Sequence, residues 1–273
     1  MTTNSIMKVP PINKKTLLIL WGLCILGFFA IIPYSYTLSG MTLSSNDLLS
    51  TGMLVSSAQN FLLYGLVIFT GLYVTRRVGL GTPILDGLVK REAVGDKVRA
   101  LWLPALAIGI LGAVIIILLD SFIFSPPLAA ELKLLGVNLS ESVNPPVWQG
   151  LLASFYGGIN EEVLLRLFVM TLIGGLIAAV MRKLDQKLPV GIFWVANILV
   201  AVLFGLGHLP ATKSIGLPMD FLVISRAIVL NGLLGIGFGW LYWKHGLESA
   251  MLGHFTADIV LHVLTPLIAA MLV

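Results

Sequence analysis

Charge is what this chain has least of. Only 11% of its 273 residues are Asp, Glu, Lys or Arg, where soluble domains carry roughly 25%. So few charges cannot cover a water-soluble globule of this length with polar surface, and a soluble enzyme is excluded. Cysteine is equally scarce: the single Cys24 rules out an internal disulfide and any cysteine-based zinc cage, so a metal would need His, Glu or Asp as ligands. The sequence has no H-E-x-x-H pair, no tandem repeat and no low-complexity tail, and no nucleic-acid partner is expected. What it has is hydrophobicity: 58% apolar residues and a mean hydropathy of +0.98. Lipid is the solvent for most of the chain.

Uncharged stretches of about 20 residues can cross a hydrocarbon core roughly 30 Å thick as helices. Seven such spans are expected: 16–34, 51–75, 101–124, one within 147–181, 190–209, 218–243 and 247–272, with eight as the alternative count. The fold class is thus an all-α polytopic bundle. Residues 1–146 form a generic membrane part with three spans, and 147–273 a core that holds the intramembrane charges. The fourth segment, 35 residues long, would measure about 52 Å as one helix, and Gly157-Gly158 is the natural place to break it. Gly235-x-x-x-Gly239 is a helix-packing signal. The 125–146 loop, bounded by Pro126-Pro127 and Pro145-Pro146, is too irregular to assign.

Short basic loops stay cytoplasmic. Lys8, Lys14 and Lys15, then Arg76, Arg77, Lys90, Arg91, Lys97 and Arg99, then Arg182, Lys183 and Lys187, and finally Lys244 fall on one side, against Lys133 and Lys213 on the other. The expected setting is a cell membrane, multi-pass, with a cytoplasmic amino terminus. A cleaved signal peptide competes for the first span, but Ser35-Tyr36-Thr37 is not a small-residue cleavage site.

An ionisable residue inside a span is costly and marks a functional hypothesis. Three groups stand out: Asn160-Glu161-Glu162-Val163-Leu164-Leu165-Arg166, Phe204-Gly205-Leu206-Gly207-His208 and His254-Phe255-Thr256-Ala257-Asp258. Glu162 and Arg166 are i and i+4 in the favourable order for an ion pair, which leaves Glu161 without a local partner. The two adjacent carboxylates therefore have different environments. His254, Asp258 and His262 share one stripe of the last helix, where Asp258 could fix the tautomer of either histidine.

These residues, E-E-x-x-x-R, F-x-x-x-H and H-x-x-x-D in order on successive apolar helices, resemble the CPBP family of intramembrane proteases. That family includes the Rce-type CAAX prenyl endopeptidases and the bacteriocin-processing or self-immunity Abi proteins. The run from Gly239 to His254 is similar to the family's approach to its third motif. The resemblance covers roughly Gly150 to Val260. It implies an endopeptidase in which Glu161 and His208 activate a water, His254 and Asp258 stabilise the oxyanion, and Glu162 and Arg166 support the site. Many members have Asn where Asp258 stands. An ionised carboxylate cannot donate to an oxyanion, so either Asp258 is protonated or it orients His254, which then donates alone. A metal-free site is favoured because no H-E-x-x-H helix is present; if zinc is used, Glu161, His208 and His254 are the ligands to expect. The implied partners are a peptide or protein with a hydrophobic or lipidated segment, and membrane lipid.

Plainer readings stand beside these. Glu162 with Arg166 is a structural pair when taken alone, His208 beside Pro210 is an interfacial histidine, Phe204 is packing, and His245 and His262 are interfacial or lie behind the site. Asp120 is interfacial, Arg226 has an unknown partner, and Gln59, Asn60 and Asn197 are interhelical glue. Counting along straight helices does not bring His254 to the glutamates. A non-catalytic immunity factor or a proton-coupled carrier is the alternative function, although the paired broken helices of transporters are not visible.

Overall fold

The computed structural model describes residues 11–136, 145–185 and 187–272. Among them the regular structure is helical, and seven helices are long and apolar enough to cross a membrane. The first is α1 (Lys14–Leu38). A single turn, α2 (Ser45–Leu48), leads to the second span, α3 (Thr51–Val78). A short surface helix, α4 (Pro83–Val89), precedes the third, in which α5 (Gly95–Leu119) runs through a π turn at Asp120–Phe124 into α6 (Ser125–Leu134). The start of the segment left unassigned from sequence is therefore helix; 137–144 lie outside the described residues.

The fourth span is α7 (Val147–Phe155), π-helical Tyr156–Glu161 and Val163–Met170, and α8 (Thr171–Val180). It does not break at Gly157-Gly158. In lipid an interrupted backbone leaves N–H and C=O groups without water, and the i→i+5 turns keep them paired while absorbing the length. The fifth span is α9 (Val190–Gly207) with α10 (Leu209–Ser214); α11 (Phe221–His245) is the sixth. The seventh is α12 (Leu247–Ile259), π-helical Val260–Leu264 and α13 (Thr265–Met271).

Helix ends follow local chemistry. Asn13, Ser50 and Asp220 each cap a helix by accepting an amide N–H through the side chain, satisfying donors the first turn cannot pair. Gly246 alone joins α11 to α12, at φ +93, a left-handed value that glycine adopts without strain.

Lipid removes the usual hydrophobic drive between helices, so close backbone approach over small residues holds the bundle. A Cβ at Gly205 of α9 would lie 2.5 Å from Ile228 Cα of α11, and one at Gly109 of α5 would lie 2.6 Å from the Gly253 carbonyl oxygen of α12. Gly239 sits against Asn197, whose Nδ2 donates to the Ile236 carbonyl at 3.1 Å. Asn197 is thus interhelical glue as expected. Asn60 is not: its amide donates to Ser56 O one turn back in its own helix, and Gln59 is exposed. Outward-facing Leu26, Leu62, Leu103 and Phe122 are exposed, as helices solvated by lipid require.

The basic loops gather at one end. Asp185 N donates to Arg77 O, Leu188 N to Val78 O and Leu247 N to Gly81 O. Glu248 accepts the Ile84 and Leu85 amides, and Thr16 Oγ1 donates to Asp86 at 2.6 Å. Lys8 lies outside the described residues. Toward the opposite end Arg226 holds Asp120 through two 2.6 Å hydrogen bonds, which gives the two residues left unpaired by sequence one another as partners across the third and sixth spans.

Candidate active site

The fourth span supplies the acids. Glu162 has 0% side-chain exposure and its Oε2 accepts from Arg166 Nε at 3.0 Å, with the Arg166 side chain equally buried. This is the i, i+4 pair expected from spacing. The Glu162 Oε1 meets Nδ1 of His254 at 2.9 Å. A buried charge is tolerated only when paired and hydrogen-bonded, and Glu162 has both partners. By spacing Asp258 is the residue that could orient His254; the structure gives the Nδ1 contact to Glu162 and leaves Asp258 facing Nε2.

His254 is fixed from three directions. Glu162 holds Nδ1, Phe238 stacks on the ring at 4.6 Å and 16°, and Phe204 meets it edge-on at 5.5 Å. Its other nitrogen, Nε2, faces Glu161 Oε2 at 3.7 Å and Asp258 Oδ2 at 3.6 Å. The straight-helix count that kept His254 away from the glutamates is corrected here. That count started the span at a break beside Gly157-Gly158, whereas the span runs unbroken from Val147, which places Glu161 and Glu162 deep in the bundle rather than at its outer end. Glycine then lets the helices close: Gly157 lies directly against Asp258 Oδ2, and a Cβ there would be 3.1 Å from His254 Nε2.

His208 ends α9. Its Nδ1 lies 2.9 Å from the Phe204 carbonyl oxygen; a carbonyl only accepts, so Nδ1 carries the proton and, in the neutral ring, Nε2 keeps the lone pair. The Phe204 ring packs edge-on against His208 at 4.8 Å, with the Arg166 guanidinium 5.7 Å from its centroid. Phe204 is packing, as read, yet its position is between the two histidines.

Glu161, His208, His254, Asp258 and His262 all line one cavity of about 370 Å³. Its wall includes α1, through Ile31, Tyr34 and Ser35, and α11, through Asn231 and Leu234. His262 stands 3.4 Å from the Tyr34 hydroxyl, one turn along the seventh span from Asp258. His245 lies elsewhere, beside Trp240. Sequence reasoning missed Tyr34, Tyr156, Asn231 and Phe238, which carry no motif. It also passed over Asn160, fully buried and donating to Cys24 O at 2.8 Å; an amide next to two intramembrane acids was the available signal.

Zinc takes four ligands at about 2.0–2.3 Å. Among the described residues no group of three His, Cys, Asp or Glu side chains is arranged to hold a metal ion, and the Nδ1 that faces Glu162 is already engaged. Glu161, His208 and His254 do not form a preset zinc site. Chemically, the cavity offers carboxylates, one imidazole with an open lone pair and one imidazole held by a buried acid, the components of general acid–base hydrolysis.

Comparison with known proteins bears on this cavity. No curated protein and no solved structure matches the chain. Residues 143–260 match the family model for type II CAAX prenyl endopeptidase, Rce1-like, a segment that holds all three motifs and ends just short of His262. That Rce1-like segment supports the CPBP/CAAX family of membrane proteases.

Proposed function

We propose that the protein is an intramembrane endopeptidase that hydrolyses a peptide bond with a water activated by Glu161 and His208. The observation that carries this reading is the convergence of Glu161 and Asp258 on His254 Nε2, at 3.7 and 3.6 Å, in a cavity shared with His208.

Glu161 takes one proton from the water as its oxygen bonds to the peptide carbon, and His208 Nε2 accepts a hydrogen bond from the other. The carbonyl π pair moves onto oxygen. In its doubly protonated form His254 donates from Nδ1 to Glu162 and from Nε2 to that oxyanion, electrostatic support of the kind worth several kcal/mol in acyl transfer. Asp258 flanks the same nitrogen. Collapse breaks the C–N bond, and the proton held by Glu161 passes to the leaving amine. Arg166 keeps Glu162 paired, so that His254 stays aimed.

Residues 147–273 form the catalytic core and 1–146 a supporting membrane part that closes one wall through α1. The chain sits in the cell membrane with its amino terminus cytoplasmic. Its substrate carries a hydrophobic or lipidated segment and reaches the cavity from within or beside the bilayer. The test is cleavage of a library of hydrophobic peptides by detergent-purified protein, read by mass spectrometry. Glu161→Ala and His208→Ala each abolish cleavage without changing the unfolding temperature; turnover retained in both refutes the proposal.

A further inference from the structure

The basic end and the cavity mouth are opposite ends of this bundle. Lys14, Arg76, Lys97, Lys187 and Lys244 stand at helix ends tied together by the Asp185–Arg77, Leu188–Val78 and Leu247–Gly81 backbone hydrogen bonds. The cavity is lined at its rim by Leu38, the last residue of α1, and by Ala211 of α10, beyond the end of α9. From Val190 to His208 is about 27 Å of helix, close to a full hydrocarbon thickness. Ser35 and Ala211 are exposed. Toward the basic end the side chains beyond His254 are buried. His254 lies about 10 Å along α12 from Leu247, and Phe238, Leu241, Leu247 and the Glu162–Arg166 pair lie below it, each fully buried.

The lysines and arginines of short loops mark the cytoplasmic face. On the cavity side the segments between spans carry only Lys133 and Lys213, and Arg226, inside α11, is paired with Asp120. From this opposition we infer that the catalytic cavity opens to the non-cytoplasmic face, so that its substrate is the outer end of a hydrophobic polypeptide already inserted in, or moved across, the membrane. The reaction that supplies the substrate is translocation, and hydrolysis follows it. The substrate half of this inference rests on the protease reading; the side of the cavity does not.

Cys24 is fully buried, so the wild-type chain is a blank for thiol labelling. Lys213→Cys and Ala211→Cys report the cavity end, and Lys187→Cys the basic end. With a membrane-impermeant maleimide, the first two label in right-side-out vesicles and lose labelling in inside-out vesicles, and Lys187→Cys does the reverse. The opposite pattern overturns the inference, as does an Ala211→Cys that labels from the same side as Lys187→Cys. A hydrophobic peptide cleaved by the detergent-purified protein is then added to both vesicle types. Cleavage by right-side-out vesicles alone is expected, and cleavage by inside-out vesicles alone contradicts it. If no peptide is cleaved in detergent, the protease reading falls while the labelling still decides the side.

Discussion

Substituting Gly157 by alanine separates function from fold more cleanly than any change to a charged residue. A Cβ at this position overlaps Asp258 Oδ2 and comes within 3.1 Å of His254 Nε2, and both neighbours are side-chain tips rather than backbone. The carboxyl group must withdraw by about 1 Å, a misplacement of the size that costs on the order of 10²-fold in rate. Stability moves little. Replacing glycine within a helix by alanine gains up to about 1 kcal/mol, and overpacking costs about 1–3 kcal/mol, so the net change is within about 2 kcal/mol. The neighbouring Gly158→Ala is the control, because its Cβ would lie 2.9 Å from Phe255 Cβ and 3.0 Å from the Met251 carbonyl oxygen, contacts that relax only if the helices part. Unfolding is followed by a thiol-reactive dye, since Cys24 is the sole thiol and is buried, and kcat/KM by peptide cleavage. Gly157→Ala is expected to keep its unfolding temperature and lose most of its rate; Gly158→Ala loses stability. A Gly157→Ala enzyme with full activity refutes the placement of Asp258 and His254 at the reacting centre.

Arg166→Met leaves buried Glu162 with His254 as its remaining partner and should cost about 3–5 kcal/mol; adding Glu162→Gln should restore part of that, so a double-mutant cycle in the same unfolding assay reads a large favourable coupling. Arg226→Gln breaks the bidentate contact to Asp120, whose side chains are 28% and 26% exposed, and water screening limits the loss to about 1 kcal/mol, with no further loss when Asp120→Asn is combined with it. Tyr34→Phe removes only the 3.4 Å contact to His262, so stability should fall by less than about 1 kcal/mol, and cleavage kinetics check whether the α1 wall acts on substrate binding by raising KM at unchanged kcat.

The span count and the chemistry-bearing residues could be read from sequence because lipid makes polarity rare and therefore informative. The Glu162–Arg166 pair was legible for the same reason: it is local, and i, i+4 geometry is a property of any helix. Contacts between helices were not. Asp120 and Arg226 lie 106 residues apart in sequence, and no periodicity relates them. The Gly157-Gly158 pair read as a break, since isolated glycines weaken helices, whereas here they admit the side chains of α12. His254 was misplaced because the count broke the fourth span at Gly157-Gly158 and left the glutamates at its outer end, whereas the span runs unbroken from Val147. The anchoring of His254 by Glu162 rather than Asp258 depends on that same depth, so it could not be recovered from spacing.

The central claim is that a water activated by Glu161 cuts a peptide bond in this cavity. Its most direct test is a single-turnover cleavage in ¹⁸O-labelled water, comparing the wild-type protein with Glu161→Gln at equal folded fraction. The wild-type product should carry one solvent oxygen in its new carboxyl group, and Glu161→Gln should be slower by about 10²–10⁴-fold, the range for loss of a general base. Cleavage by Glu161→Gln at the wild-type rate would contradict it.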